Sequence, residues 1–189
     1  MQTREDTVRN CSKILLVSVA FLAVAACAAK QATREPQLDS VGFEPKAIQV
    51  HFKVDPQLNL YDESPHTLHV CVYQLEDPNS FNQHAQDKEG LYKLLECDRF
   101  DASVTNAKRQ VCQPGRDKSF TLDRAEGTRY VGVVGGYYSL ETKNVVRLFQ
   151  IPVIVKKKGL IKRKKIIRPG TLNIDLYLGP QSLQKFERK

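Results

Sequence analysis

Cys27 is the first residue whose position suggests chemistry, because it directly follows a run of 13 residues, Ile14 to Ala26, that is apolar except for Ser18. The run is uncharged, and it follows Lys13 and two arginines further upstream. About 7 to 15 apolar residues behind a basic segment are typical of a secretory signal, whereas a membrane-crossing helix needs roughly 20. We therefore interpret residues 1–26 as a signal peptide that is removed from the mature chain.

The four residues at the end of this run, Val24-Ala25-Ala26-Cys27, resemble the bacterial lipobox. Small side chains give the peptidase access to the backbone, and the cysteine thiol then carries the lipid. We predict lipidation at Cys27, with palmitate as an acyl chain and no cofactor besides the covalent lipid. In the alternative interpretation, an ordinary signal is cleaved and the cysteine is incidental. Residue 28 is alanine rather than aspartate, so lipoprotein sorting rules favour the inner leaflet of the outer membrane, facing the periplasm.

The histidines and glycines provide no convincing metal or nucleotide site. His51 and His69 are expected on strands that could be neighbours, but the sequence supplies no clear third ligand. Solvated histidines are therefore the simpler interpretation. The glycine-rich segment 132–136 lacks the Gly-Lys-Ser/Thr ending with which a phosphate loop holds nucleotide, and tight strand packing explains it better.

The carboxylates also lack the setting that catalysis needs. Asp62-Glu63 and the pair Asp98 and Asp101 are expected in loops, without an apolar surround to raise a pKa. No Gly-x-Ser-x-Gly elbow is present. We therefore predict that the protein is not an enzyme.

Three further cysteines follow Cys27 in a compartment that permits disulfides. Cys97 and Cys112 are the preferred pair, because each lies at the edge of a predicted element. Closing that loop would stabilise the fold by about 3 kcal/mol in the chain-entropy model. Cys71 lies in the middle of a predicted strand, and we interpret it as a buried, inert thiol.

Composition and charge restrict the remaining possibilities. The 163 residues after the signal suffice for one ordinary domain. The whole chain has a formal net charge of +8, which favours acidic partners, but nucleic acid is not expected for an exported protein. We predict a lipidated flexible tether over 27–46, a folded domain over 47–180 and a C-terminal tail over 181–189.

The pattern of apolar residues predicts a mainly β fold. Alternation begins near Ala47 and recurs over 172–178, while 68–75 is apolar on both faces, as expected of an interior strand. Residues 80–96 show helical spacing, 97–110 looks irregular, and 145–155 reads as one strand. About eight short strands with a short helical insertion predict an antiparallel β-sandwich.

A strongly basic segment lies near the end of the domain, with seven cations among ten residues. We interpret it as a hairpin whose long side chains extend into solvent. The alternative is attraction to anionic lipid head groups or to an acidic partner. The cations are Lys156, Lys157, Lys158, Lys162, Arg163, Lys164 and Lys165.

The loop after the first strand carries large apolar residues in polar surroundings. Such side chains either fold back onto the core or meet a partner.

With the strands placed, the chain resembles the TssJ family, the outer-membrane lipoproteins of the type VI secretion system. The resemblance covers nearly the whole mature chain and depends on the order of several short segments after the lipobox. These are VCVYQL (70–75), an Asn79-Ser80-Phe81 helix start, Leu91 to Leu95, Gln113-Pro114-Gly115, YVGVVGGYY (130–138) and the closing NIDLYLG.

This resemblance implies a transthyretin-like sandwich that binds the periplasmic carboxy-terminal part of TssM, and through that complex is linked indirectly to TssL. In the family the contact is made by the loop between the first two strands. Transferred by position, the candidate partner-binding residues are Leu58, Asn59, Leu60, Tyr61, Asp62 and Glu63. The alternative function is a periplasmic lipoprotein that holds a hydrophobic ligand between its sheets.

Overall fold

Ten strands and three short helices make up the part of the chain that the computed structural model describes, residues 41–158 and 164–185. The signal peptide, Cys27 and most of the expected tether lie outside these residues. The same holds for Lys162 and Arg163 of the basic segment and for the last four residues.

The first sheet has four strands in the spatial order β10 (Leu183–Lys185), β9 (Leu172–Leu178), β1 (Glu44–Val54) and β4 (Lys118–Arg124). Strand β1 is antiparallel to β4 but parallel to β9. Side-chain alternation shows which face of a strand is buried, but it carries no information on strand direction. The sequence therefore suggested an antiparallel sandwich throughout, and the β1–β9 pair departs from it.

The second sheet is antiparallel, in the order β3 (Val104–Cys112), β2 (Leu68–Leu75), β5 (Tyr130–Gly135) and β6 (Val146–Gln150). As predicted, β2 is an interior strand buried on both faces. One continuous cluster of buried side chains joins the two sheets, with Phe52 from the first sheet and Val70 and Val133 from the second. The mainly β fold class is confirmed.

Three helices accompany the sheets: α1 (Asn79–His84), α2 (Lys88–Leu95) and α3 (Thr142–Val145). The side chain of Asp87 caps α2 by accepting a hydrogen bond from the N–H of Gly90 at 2.8 Å. Helix α1 begins one residue before the region predicted to be helical, 80–96, and α2 lies inside it. Both helices pack on the outer face of the second sheet. In the described part of the chain, no helix has the length and apolar character needed to cross a membrane.

The contact between helix and sheet depends on Gly132. A Cβ atom at Gly132 would lie only 2.5 Å from the ring of Phe81, so the absence of a side chain lets α1 approach the sheet. The Tyr73 hydroxyl donates a hydrogen bond to the Leu94 carbonyl at 2.6 Å and ties β2 to α2.

Strands β7 (Val153–Lys158) and β8 (Lys164–Pro169) form a separate two-stranded antiparallel ribbon, as the hairpin interpretation predicted. The single strand predicted over 145–155 is wrong, because the chain leaves the second sheet at Ile151 and Pro152. The Ile151 N–H makes the last hydrogen bond, to the Arg129 carbonyl at 2.8 Å. Pro152 has no N–H with which to continue the ladder.

Three predicted boundaries differ from the structure. Strand β1 begins at Glu44, inside the expected tether, and β10 lies inside the expected tail, where Leu183 is fully buried. The segment 97–110 contains most of β3 rather than an irregular loop. The first residues of β1 are EPK, β3 has few apolar residues on either face, and β10 has only three residues. These segments therefore lack the apolar alternation by which strands are found in a sequence.

The predicted Cys97–Cys112 bridge is wrong, since Cys97 is bonded to Cys71 with their Cα atoms 5.3 Å apart. Cys112 pairs opposite Leu68 and Cys71 opposite Arg109, so these two cysteines lie on opposite faces of the sheet. Cys97 follows α2 on the outer side, where only Cys71 can reach it. Cys112 is a buried free thiol, and burial raises its pKa to about 11, which keeps it protonated and unreactive.

Replacing Cys97 by alanine is expected to lower the free energy of unfolding by about 3.5 kcal/mol, from the chain entropy of a loop spanning 26 residues. Urea unfolding with and without reductant measures the effect. Cys112→Ala is the control, because it removes a buried thiol and leaves the bridge intact. A Cys97–Cys112 peptide in the unreduced digest, or unfolding that is insensitive to reductant, would contradict the observed pairing.

Candidate functional site

The loop between β1 and β2, residues 55–67, is held against the first sheet by its backbone. The N–H of Asp55 donates to the Leu178 carbonyl at 3.0 Å, and the N–H of Leu60 donates to the Pro180 carbonyl at 2.8 Å. Inside the loop, the N–H of His66 donates to the Leu58 carbonyl at 2.9 Å. The loop therefore has a defined shape before any partner arrives.

The tip of the loop is a tight two-residue turn. Tyr61 and Ser64 exchange two backbone hydrogen bonds of 3.0 Å each, and Asp62 and Glu63 between them have φ angles of 48° and 57°. A type I′ turn requires positive φ at both central residues, which are usually asparagine or glycine. Using two acidic residues there costs about 1–2 kcal/mol each. The turn presents two exposed carboxylates at the tip of the loop.

Burial divides the six predicted partner-binding residues into two groups. Leu58 is fully buried in the core, so it has folded back and its role as an exposed anchor is corrected. Asn59 is only 4% exposed. Leu60 is half-buried, Tyr61 is 57% exposed, and Asp62 and Glu63 are exposed, so these four can still meet a partner.

Asn59 holds the loop from inside. Its Nδ2 donates to the Thr67 carbonyl at 3.2 Å, and its Oδ1 accepts a hydrogen bond from the N–H of Tyr138 at 3.0 Å. Its φ of 49° is left-handed, a conformation that asparagine tolerates better than most residues. Asn59 therefore joins the loop to the segment that follows β5.

Three rings form an aromatic platform, defined as Tyr61, His66 and Tyr138. The two tyrosine rings stack with centroids 4.4 Å apart at an angle of 17°. His66 packs its edge against Tyr138 at 5.1 Å and lies 6.4 Å from Tyr61. Tyr138 is 57% exposed, so both tyrosines are available to a partner.

Sequence reasoning missed Tyr138 and His66. Tyr138 is the second of two tyrosines that close the run 130–138, and the first of them, Tyr137, is buried. Burial raises the pKa of Tyr137 above its usual range, and its hydroxyl donates to the Ser182 carbonyl at 3.0 Å. The only signal in the sequence was that side chains alternate along an extended chain, so that Tyr138 points outward if Tyr137 points into the core.

An open groove of about 600 Å³ lies beside the platform. Its walls include Tyr92 of α2, which is 62% exposed, together with Leu95, Leu140 and Tyr138. Tyrosines that are exposed and backed by a fixed loop are typical anchors of protein–protein contacts. The surface is therefore suited to binding another protein.

The structure does not bring His51 and His69 together. His51 lies on β1 and His69 on β2, in different sheets, so the expectation that their strands could be neighbours is wrong. The Nδ1 atom of His51 lies 2.8 Å from Ser119 Oγ. Within residues 41–158 and 164–185, no group of three or more His, Cys, Asp or Glu side chains could hold a metal ion.

The basic residues occupy the ribbon of β7 and β8. Lys157 lies opposite Lys165, and Lys158 lies opposite Lys164. Lys156 is exposed and pairs opposite Ile166.

Comparison with known proteins identifies the family of the chain. Residues 46–173 match the family model described as type VI secretion lipoprotein, VasD, EvfM, TssJ. No curated protein gives a significant match.

Solved structures share the fold at low sequence identity. The type VI lipoprotein TssJ1 from Pseudomonas aeruginosa is 17% identical with a TM-score of 0.56, covering 79% of this chain and 98% of that one. Serratia marcescens Lip, a membrane-bound component of the type VI secretion system, is 18% identical with a TM-score of 0.56, covering 75% and 98%. A chain in the structure of the TssM C-terminal domain from EAEC is 14% identical with a TM-score of 0.54, covering 75% and 98%. With 128 of its 189 residues inside the family match, the chain belongs to the type VI secretion lipoprotein family that includes VasD, EvfM and TssJ.

Proposed function

We propose that this protein tethers the periplasmic part of TssM to the outer membrane as a component of the type VI secretion membrane complex. Lipid on Cys27 would hold the chain in the inner leaflet, and the loop between β1 and β2 would hold the partner. TssL would be linked only indirectly, through TssM. The protein would act as a structural connector and not as an enzyme.

The aromatic platform is the observation that carries this proposal. Tyr61 and Tyr138 are stacked on each other yet more than half exposed. The Asp62-Glu63 turn holds the backbone of Tyr61, and Asn59 holds that of Tyr138. A preformed aromatic surface loses little conformational entropy on binding, which favours a tight and specific contact. The exposed carboxylates at its edge supply the polar rim that surrounds such anchors.

The partner is proposed from the same secretion machine. Similar structures are described as the TssM C-terminal domain and as the type VI membrane complex. The alternative function, a carrier of a hydrophobic ligand, would need space between the sheets. Instead, a continuous cluster of buried side chains from both sheets occupies the core, which favours the connector.

Strand β1 links the two proposed attachment points. The chain that leads from Cys27 reaches the domain at Val41 and enters β1 at Glu44, and the loop begins where β1 ends at Val54. A load between membrane and partner would therefore run along one strand, which is bonded to β4 on one side and β9 on the other.

Two measurements test the proposal. Mass spectrometry of the mature chain is expected to show an acylated Cys27, and Cys27→Ala is expected to move the protein from the outer-membrane fraction to the soluble periplasm. The mature chain is also expected to capture the periplasmic domain of the TssM encoded in the same genome. An unacylated, soluble wild-type chain would refute the anchor, and failure of capture would refute the partner.

A further inference from the structure

Positive charge is segregated into one part of the chain. Residues 146–174 contain nine lysines and arginines and no aspartate or glutamate. This stretch includes the β7–β8 ribbon, which belongs to neither sheet of the sandwich. The ribbon therefore carries a local excess of cations that the sandwich does not require for its core.

The pairing within the ribbon is unfavourable for the isolated protein. Lys157 opposite Lys165 and Lys158 opposite Lys164 form two like-charged pairs in sequence along the antiparallel ladder. Like-charged residues at directly opposite positions of an antiparallel ladder destabilise it. A negatively charged surface would relieve this repulsion.

Apolar side chains are exposed beside these cations. Val153, Ile154 and Val155 are consecutive in β7, so they alternate between the two faces of the ribbon, yet each is 37–45% exposed. Each face of β7 therefore leaves part of an aliphatic side chain open to solvent. Cations next to exposed aliphatic side chains are the combination that binds a charged lipid interface.

The base of the ribbon lies next to the point where the tether joins the domain. Arg124 donates one hydrogen bond to the Gly42 carbonyl and another to the Gly170 carbonyl, both at 3.4 Å. The N–H of Gly170 in turn bonds to the Pro152 carbonyl at 2.7 Å and closes the base of the ribbon. The proposed partner loop lies at the other end of β1.

Chain lengths allow the ribbon to meet the membrane. From Cys27 to Val41 the chain can extend to at most about 50 Å. Each strand of the ribbon has six residues and spans about 20 Å. A domain held by lipid at Cys27 therefore remains within reach of the same bilayer surface.

We propose that the β7–β8 ribbon binds anionic phospholipid head groups on the membrane that carries the anchor. This inference rests on the proposed lipid anchor. Lys156, Lys157, Lys158, Lys164 and Lys165 supply the attraction, and the exposed aliphatic residues of β7 add contact with the interface. The ribbon thus orients the sandwich, with its tether end toward the lipid and its aromatic platform toward the periplasm.

Vesicle binding tests the proposal with the mature chain carrying Cys27→Ala, so that no acyl chain contributes. Vesicles of phosphatidylcholine with about 40% phosphatidylglycerol are compared with pure phosphatidylcholine, at low salt and at about 0.5 M salt. The chain is expected to bind only the anionic vesicles and to be released by salt. The quadruple variant K157Q/K158Q/K164Q/K165Q is expected to bind about 1,000-fold more weakly.

A matched variant separates the ribbon from overall charge. K53Q/K88Q/K108Q/K143Q removes the same four charges from exposed positions elsewhere in the domain and is expected to bind as the parent does. Equal losses in both quadruple variants would overturn the proposal, since bulk charge would then explain the binding. Equal binding to neutral vesicles would also overturn it.

A fluorescent reporter gives a second measurement. The chain contains no tryptophan, so Val155→Trp places a single indole on the ribbon. Its emission is expected to shift to the blue with anionic vesicles only, and an unchanged spectrum would count against the ribbon as the contact.

Capture of TssM by the quadruple ribbon variant is expected to be normal. If the ribbon variant loses capture of TssM but still binds anionic vesicles, the ribbon binds an acidic protein and the lipid proposal is overturned. If the wild type itself fails to capture TssM, the proposed tether function fails instead.

Discussion

Tyr61→Asp is expected to weaken capture of the TssM periplasmic domain at least about 100-fold, which is about 2.7 kcal/mol, while the sandwich stays folded. Tyr61 is more than half exposed, so its replacement removes no core contact. At the interface, the change would remove an aromatic anchor and leave a carboxylate without a partner in a desolvated place. Leu60 is a less selective target, since it is half-buried and its backbone is bonded to Pro180.

The measurement is the affinity of each variant for the immobilised TssM domain, with thermal unfolding recorded in parallel. Phe43→Asp is the matched control, because Phe43 is 64% exposed and precedes the opposite end of β1. It should bind like the wild type. Normal capture by Tyr61→Asp, or an equal loss in Phe43→Asp, would remove the loop from the proposed interface.

The sequence predicts strands well where one face of the sheet is buried. In β1 and β9 the apolar residues recur at every second position, and the structure buries Ile48, Val50, Phe52 and Val54 in the first of them. Strand β2 is apolar on both faces because the core lies on one side and the helices on the other. In β1 and β9 the two-residue period of the strand carries the information, whereas β2 is recognised by its nearly continuous apolar run.

The periodicity of a strand does not determine the features that the sequence could not predict. The disulfide depends on which face Cys71 occupies, and a strand that is apolar on both faces gives no preference. Whether Leu58 is buried depends on the fold of a loop, where residue type alone does not distinguish a core residue from an exposed one. Tyr138 reaches the platform only because β5 ends beside the first loop, a neighbour relation between segments about 80 residues apart.

Asn59 shows how the structure changes the role of a predicted site residue. It was transferred from the family as a partner contact, but it is buried, and both of its hydrogen bonds stay inside the protein. It is therefore a positioning residue, which fixes the loop relative to Tyr138. This role predicts that substitutions at Asn59 change stability and binding together.

Asn59→Gly is expected to lower the free energy of unfolding by about 2 kcal/mol, because the Thr67 carbonyl and the Tyr138 N–H lose their partner. Glycine adopts the left-handed conformation without strain, whereas alanine does not. Asn59→Ala should therefore cost about 1 kcal/mol more than the glycine variant. Both variants should bind TssM about 10-fold more weakly, since the stacked tyrosines lose their support.

Urea unfolding and affinity measurements on the same samples decide between positioning and contact. Asn173→Ala is the control, because this asparagine is exposed on β9 and far along the chain from the loop; it should change neither quantity. Both roles predict a loss of affinity, but if Asn59 acted only as a direct contact with TssM, both variants would keep the stability of the wild type. A larger loss of stability in alanine than in glycine instead ties the platform to the left-handed backbone at Asn59, the geometry from which the loop presents Tyr61.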